Sequence, residues 1–155
     1  MAARIVVRVG SADFDIGEEI AAVQAGDPAV GAVASFIGYC RSEDGRLAAL
    51  ELEHYPGMAE AEIGRVVSEA VARWPLDAVT VVHRSGRIRP GERIVLVATA
   101  SSHRAAAFAA CDFLMDFLKT RAPFWKKEHL ADGGDGGWVA AKDEDERRLD
   151  RWKDR

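Results

Sequence analysis

Between Lys119 and Glu128 the chain sets four cations, Lys119, Arg121, Lys126 and Lys127, around an Ala122-Pro-Phe-Trp125 corner. Lysines that are crowded or partly desolvated have lowered pKa values and act near neutrality as proton donors, bases or nucleophiles. A second basic pair, His103-Arg104, stands upstream at the start of an expected helix. Cations there oppose the positive end of the helix dipole, at a cost of about 0.3–1 kcal/mol. In a chain of formal net charge −4, a bound anion is the simplest reason to keep them. The free N–H groups of a helix start attract phosphate, and the arginine fork grips phosphate oxygens in pairs. Each residue also has a plain surface role. His103 and Arg104 suit an exposed first turn, Lys119 and Arg121 complement the dipole at a helix end, and Lys126 and Lys127 are ordinary solvated lysines. Arg41 ends a long strand where a turn begins, a place that serves equally for an exposed arginine and for a functional one.

Other chemistries find little support. The chain has no GxxxxGK[ST] and no GxGxxG after a strand, and Gly133–Gly137 precedes no helix start. His54, His83, His103 and His129 show no metal-ligand spacing with one another or with Cys40 and Cys111. The two cysteines form no CxxC and read as buried thiols in a reducing cytosol. No run approaches the roughly 18 apolar residues of a membrane span, so a cytoplasmic protein is expected. A pI near 5.6 argues against a nucleic-acid binder, which is usually basic. Any affinity for anions is then local.

Elements that position these residues can be read from periodicity. Arg4–Val9, Val30–Tyr39, Leu47–Tyr55, Ala78–Arg84, Arg93–Ala100 and Trp125–Leu130 read as strands. In Val30–Tyr39 one of two glycines suits a bulge, and Ser42–Arg46 suits a hairpin turn into Leu47–Tyr55. Arg93–Ala100 is apolar on both faces and should be central. Gly17–Gln24, Met58–Trp74 and His103–Arg121 read as helices, the last apolar nearly all round and N-capped by Ser102. Ser85–Glu92 is a turn-rich connection, and Asp132–Gly137 a mobile loop. In a strand over Trp125–Leu130, Lys126 and Lys127 point to opposite faces, so at most one enters a given pocket. From Asp143 to Arg155 a charged tail carries acids first and bases later, with Asp143–Arg147 and Glu144–Arg148 at i,i+4 spacing and weak docking through Leu149 and Trp152. The 155 residues suit one domain without internal repeats, of class α+β with a mixed or antiparallel sheet and packed helices.

Five segments occur in order: Glu51-Leu-Glu-His-Tyr-Pro-Gly-Met58, His83-Arg-Ser-Gly86, Pro90-Gly-Glu92, Ser102-His-Arg104 and Lys119–Glu128. Together they resemble the large, catalytic subunit family of molybdopterin synthase, over about residues 5–142. The resemblance implies an α/β hammerhead fold and a homodimer of large subunits. Each would bind a small ubiquitin-like sulfur-carrier subunit, giving a heterotetramer. The carrier's C-terminal Gly-Gly, ending as a thiocarboxylate, enters a pocket of the large subunit near the dimer contact. Two sulfurs are then installed in cyclic pyranopterin monophosphate, forming the dithiolene of molybdopterin. The sulfur transfer requires no metal and no further cofactor.

By the same resemblance Arg41, His103 and Arg104 match contacts to the substrate anion, and Lys119 and Lys126 match two catalytically important lysines. Tyr39, Cys40, Lys127 and Glu128 match the substrate-lining segments, with Lys142 a weaker candidate. Many relatives have lysine at the position of Tyr39 and arginine at that of Lys142. The competing reading from another class is a non-catalytic anion-binding or scaffold module of the same fold. Single-strand nucleic-acid binding is a third, disfavoured by the net charge.

Overall fold

The computed structural model describes residues 2–139 and 143–153. In chain order its elements are β1 (Arg4–Gly10), α1 (Ile16–Gln24), β2 (Ala32–Tyr39), β3 (Leu47–Glu53), α2 (Met58–Arg73), β4 (Ala78–Arg84), β5 (Gly86–Ile88), β6 (Arg93–Ser101), α3 (Arg104–Thr120), β7 (Trp125–Leu130), β8 (Asp135–Val139) and α4 (Asp143–Asp150). The fold class is α+β, with two four-stranded sheets.

The first sheet has the order β1-β4-β6-β2. β1 runs parallel to β4, and the other pairs are antiparallel. The alternation of side chains along a strand divides its core in two. Val79 and Val81 of β4 and Val95 and Val97 of β6 pack under α2 and α3, with Ile63, Val67, Leu114 and Phe117. Ala78 and Val82 of β4 and Leu96 and Ala98 of β6 face the other way, onto Phe14 and Val23 beside α1. Burial on both faces explains why β4 and β6 lack polar alternation. At Gly38/Tyr39 the register of β2 against β6 shifts, so of the strand's two glycines it is Gly38 that marks the bulge. A Cβ on Gly38 would stand 2.8 Å from Val95 Cγ1.

The second sheet, β5-β3-β7-β8, is antiparallel throughout and packs on Cys40, Leu47, Leu52 and Ile88. Three sequence expectations change here. The turn at Ser42–Arg46 does not close a hairpin, because β2 and β3 belong to different sheets. The turn-rich Ser85–Glu92 contains β5, which pairs with Leu50–Leu52. The glycine-rich Asp132–Gly137 is no open loop: its second half is β8, paired with β7. Its Asp132 and Asp135 carboxylates accept from the N–H groups of Gly134 and Gly137, tying down the turn.

The charged tail also docks more firmly than its composition suggested. Trp152 is buried edge-on against Trp74 and Phe113. Its Nε1–H donates to Asp116 at 2.6 Å, and Asp116 is itself buried within α3. Arg148 and Arg151 donate to the same carboxylate and to Asp112. Arg148 thus turns to α3 instead of pairing with Glu144, because a half-buried carboxylate pair is the stronger acceptor.

Candidate functional site

Where the two sheets meet the C-terminal end of α3, the chain encloses a cavity of about 400 Å³. Pro123 cannot continue a helix and sends the chain from α3 through Phe124 into β7. From there period two decides what enters. Phe124, Lys126 and Glu128 line the cavity. The intervening residues turn outward: Trp125 meets Tyr55 edge-on, Lys127 pairs with Asp135 at 3.1 Å and lies over Trp138, and His129 meets Glu51. Lys119 reaches the cavity from the last turn of α3, and Tyr39 and Arg41 from the end of β2.

Of the residues expected in the site, Tyr39, Arg41, Lys119, Lys126 and Glu128 therefore share one cavity. Cys40 does not face it openly; it is buried among Leu47, Leu52 and Ile88, and burial raises its thiol pKa. Lys127 stands on the outer face of β7. His103 and Arg104 are exposed at the opposite end of α3, and Arg104 lies roughly 22 Å along the helix from Lys119. Lys142 lies outside the described residues. The N-cap is His103, not Ser102, and it makes no side-chain cap bond. That helix start keeps its N–H groups uncapped, as an anion site requires.

Carboxylates also line the cavity: Glu43, Glu128, Glu144 and Asp145. Arg46, which sequence reasoning passed over, binds two of them. Its guanidinium donates to Glu128 at 2.7 Å and contacts Glu43. This pairs two of the cavity's negative charges with a guanidinium at its rim.

His83 was also passed over as a site residue. It ends the buried strand β4 and lines the cavity. Its ring stacks on Phe124 with centroids 4.0 Å apart, and Nδ1 lies 2.9 Å from the Arg84 carbonyl. Burial is the largest cause and lowers its pKa to about 4; the hydrogen bond to the Arg84 carbonyl, next in size, pulls the other way, and the charges of Lys126, Lys119 and His54 add smaller lowering effects. A carbonyl only accepts, so Nδ1 carries the proton and Nε2 is bare. Arg84 is buried too, donating to the carbonyls of Arg93 and Ser11 and closing the floor behind β4.

A second, more apolar cavity of about 480 Å³ adjoins the first and shares Lys119. It runs between β2, at the edge of its sheet, and α3, past Phe36, Phe108, Cys111 and Met115. Phe108 is 65% exposed, an unusual state for a phenylalanine on a core helix. The other thiol, Cys111, is pushed up to about 12 by burial, which makes it a poor nucleophile. Among the described residues no group of His, Cys, Asp and Glu could hold a metal ion. None of their helices is long and apolar enough to cross a membrane.

A family model described as MoaE protein matches residues 9–121. The chain belongs to the MoaE protein family. A Mesorhizobium japonicum protein named molybdopterin synthase catalytic subunit is 65% identical over 147 residues, covering 95% of this chain and 92% of the relative. Among solved structures, a molybdopterin biosynthesis MoaE protein from Burkholderia ambifaria superposes with a TM-score of 0.81 at 48% identity, covering 98% of each chain. Molybdopterin synthase from Staphylococcus aureus gives a TM-score of 0.77 at 28% identity, over 86% of this chain and 96% of that one.

Proposed function

We propose that this chain is the sulfur-transferring subunit of a molybdopterin synthase. It moves sulfur from the thiocarboxylated C-terminus of a small ubiquitin-like carrier to cyclic pyranopterin monophosphate, forming the dithiolene of molybdopterin. The observation that carries this reading is the cavity itself, where Lys119, Lys126 and Arg41 meet from three different elements. Both reactants are anions, and bringing them together requires fixed positive charge that costs no reorganisation during the reaction. No thiol of the chain faces the task, which fits a reaction whose sulfur arrives on another protein. Relatives named catalytic subunits work by name with at least one further subunit, and the resemblance identifies it as the carrier.

Lys119 stabilises the charge developing on the carrier's terminal carbonyl, or gives it a proton. Lys126 assists opening of the cyclic phosphate, with Arg41 holding its oxygens. His103 and Arg104 join them from a second copy of the chain. On α3, Arg104, Phe108, Cys111, Met115 and Lys119 fall within roughly 80° of the circumference, one continuous stripe. A two-fold axis near Cys111-Asp112 would set Arg104 of one copy over Lys119 of the other and Phe108 over Met115. The exposed Phe108 and the apolar cavity beneath it support such a contact. Tyr39, Lys127 and Glu128 act at the margin, and Lys142 by its charge alone. The chain works as one domain in the cytoplasm, a setting that suits two buried, unpaired thiols.

Thiocarboxylated carrier and the cyclic pterin, mixed with the protein, should give dithiolene product. In Lys119→Ala product should vanish while the carrier still co-purifies. Wild-type turnover in that variant refutes the assignment, and no product from the unaltered protein refutes the function.

A further inference from the structure

Arg46 has no role in the reaction as described so far, yet it binds two carboxylates of the cavity wall. The turn that carries it is unusual. Glu43, Asp44 and Gly45 follow one another with φ of 52°, 59° and 82°, in the left-handed region that L side chains seldom enter. Glycine suits the region and aspartate tolerates it, but nothing local favours it at Glu43. The Leu47 N–H closes the turn on the Ser42 carbonyl at 2.9 Å, and the Ala131 N–H ties the Arg46 carbonyl to the end of β7 at 2.8 Å. Backbone held in a rare conformation by its surroundings is a mark of functional positions. Here it brings the Glu43 carboxylate and the Arg46 guanidinium together at the rim.

Glu128 is the other partner, at 2.7 Å. Its side chain is 16% exposed, against 34% for Glu43. The seat of that carboxylate is built from two sides. β8 presents Gly136, where a Cβ would stand 2.8 Å from Glu128 Cβ and 3.1 Å from its Oε1, so a larger residue there would displace it. On the open side Arg46 grips Oε2. Charge explains why the seat matters. Among the described residues the cavity is lined by three cations, Arg41, Lys119 and Lys126, and by four carboxylates. Water screens a covered carboxylate poorly, and one swung toward an entering phosphate repels it.

We propose that Arg46 is a positioning residue of the anion site: its guanidinium, anchored on Glu43, holds the Glu128 carboxylate against Gly136 and keeps that charge from the phosphate. The proposal rests on the sulfur-transfer reading for which phosphate is meant, but not for the clamp itself. Arg46 acts through Glu128 and touches neither reactant. An ion pair whose arginine is half exposed adds little to stability, so Arg46→Ala should melt close to wild type. One uncompensated charge at about 10 Å, with an effective dielectric of about 30, costs an anion roughly fivefold in affinity.

Arg46→Ala, Glu128→Gln and the double variant separate a clamp from a plain cation. In a crystal structure of Arg46→Ala the Glu128 carboxylate should leave Gly136 and turn into the cavity. Inorganic phosphate, followed by calorimetric titration, should bind about fivefold more weakly to Arg46→Ala than to the wild type. KM for the cyclic pterin should rise by a similar factor, with kcat changed less. In the Glu128→Gln background, adding Arg46→Ala should alter phosphate affinity and KM by less than about twofold, because no charge is left to misplace. An Arg46 that merely attracts anions gives the same loss in both backgrounds, and that result overturns the proposal. A Glu128 carboxylate unmoved in Arg46→Ala overturns it too. Failure of the unaltered protein to make product would sink the functional reading and leave the crystal structure and the phosphate titration to judge the clamp.

Discussion

Burial of a neutral His83 has a thermodynamic signature that does not depend on catalysis. Its pKa falls from 6.5 to about 4 on folding, because burial and the neighbouring lysines penalise the charged ring. The unfolded chain therefore binds a proton that the folded chain refuses, between those two values. The stabilisation is fully present above pH 6.5 and is lost as pH falls toward 4. At about 1.4 kcal/mol per pH unit, the full difference is about 3.5 kcal/mol, of which about 2.5 kcal/mol is gone by pH 4.5. Carboxylates act in a lower window. Glu51 and Glu92 are lowered from 4.5, and Asp13, Asp135 and Asp150 from 3.8, by hydrogen bonds from their partners. What they contribute is lost mainly below pH 4.5. Urea unfolding of the wild type and of His83→Phe, at constant ionic strength from pH 7.5 to 4.5, isolates the term, since every other group is common to both. The wild type should lose about 2.5 kcal/mol more than the variant over that range. A gap between the two proteins that does not change with pH refutes the reasoning, whatever the absolute cost of the substitution.

Three further outcomes follow from the packing. Lys126→Ala should lower product formation by about a hundredfold or more, whereas Lys127→Ala, on the outer face of β7, should stay close to wild type; equal losses would show that the strand does not sort the two lysines. Asp116→Ala removes the acceptor shared by Arg148, Arg151 and Trp152; with both arginines partly solvated, the loss should be about 3 kcal/mol, or roughly 6–12 °C in Tm by calorimetry. Gly31→Ala would put a Cβ 2.1 Å from the Ser102 carbonyl oxygen and should cost at least about 2 kcal/mol, while Gly64→Ala, with open space on α2, should gain up to about 1 kcal/mol in the same melts.

The strongly periodic elements were legible because local pattern and tertiary role agree. Helix α2 has one apolar stripe and buries Ile63, Val66, Val67 and Ala70 along it. Strands β4 and β6, apolar on both faces, are the interior strands of the first sheet. Where partners are remote, local signals misled. The Ser42–Arg46 turn looks like a hairpin, but the bulge at Gly38/Tyr39 bends the chain out of one sheet and β3 finds its partners in β5 and β7. Strands β5 and β8 are short and glycine-bearing, and they exist because a neighbouring strand supplies the hydrogen bonds that their own side chains do not favour. In the tail, i,i+4 spacing suggested pairs within α4, while the buried Asp116 draws Arg148 and Trp152 across to α3.

The cavity shows the same division. That Lys126 and Lys127 part company follows from the period of a strand alone, and the clustering of Lys119 with the APFW corner follows from a proline that ends a helix. Which carboxylates temper those cations does not, because Arg46 reaches Glu128 across 82 positions of sequence. Nor does the place of His83, since a histidine at the end of an apolar strand has no local mark of what it faces. Most telling is α3. Its length separates Arg104 from Lys119 by roughly 22 Å, so no rearrangement of side chains within one chain can join them. Yet the same helix keeps both on one stripe with Phe108 and Met115 between. Two cations that cannot meet within a chain, but lie along a common apolar face, are what an antiparallel pairing of two such helices would require. Under the proposed pairing, a complete anion site would be a property of two copies. Its first consequence is measurable: replacing Phe108 by a charged residue should abolish product formation and dissociate the pair, while leaving the monomer's unfolding midpoint nearly unchanged because Phe108 is already 65% exposed.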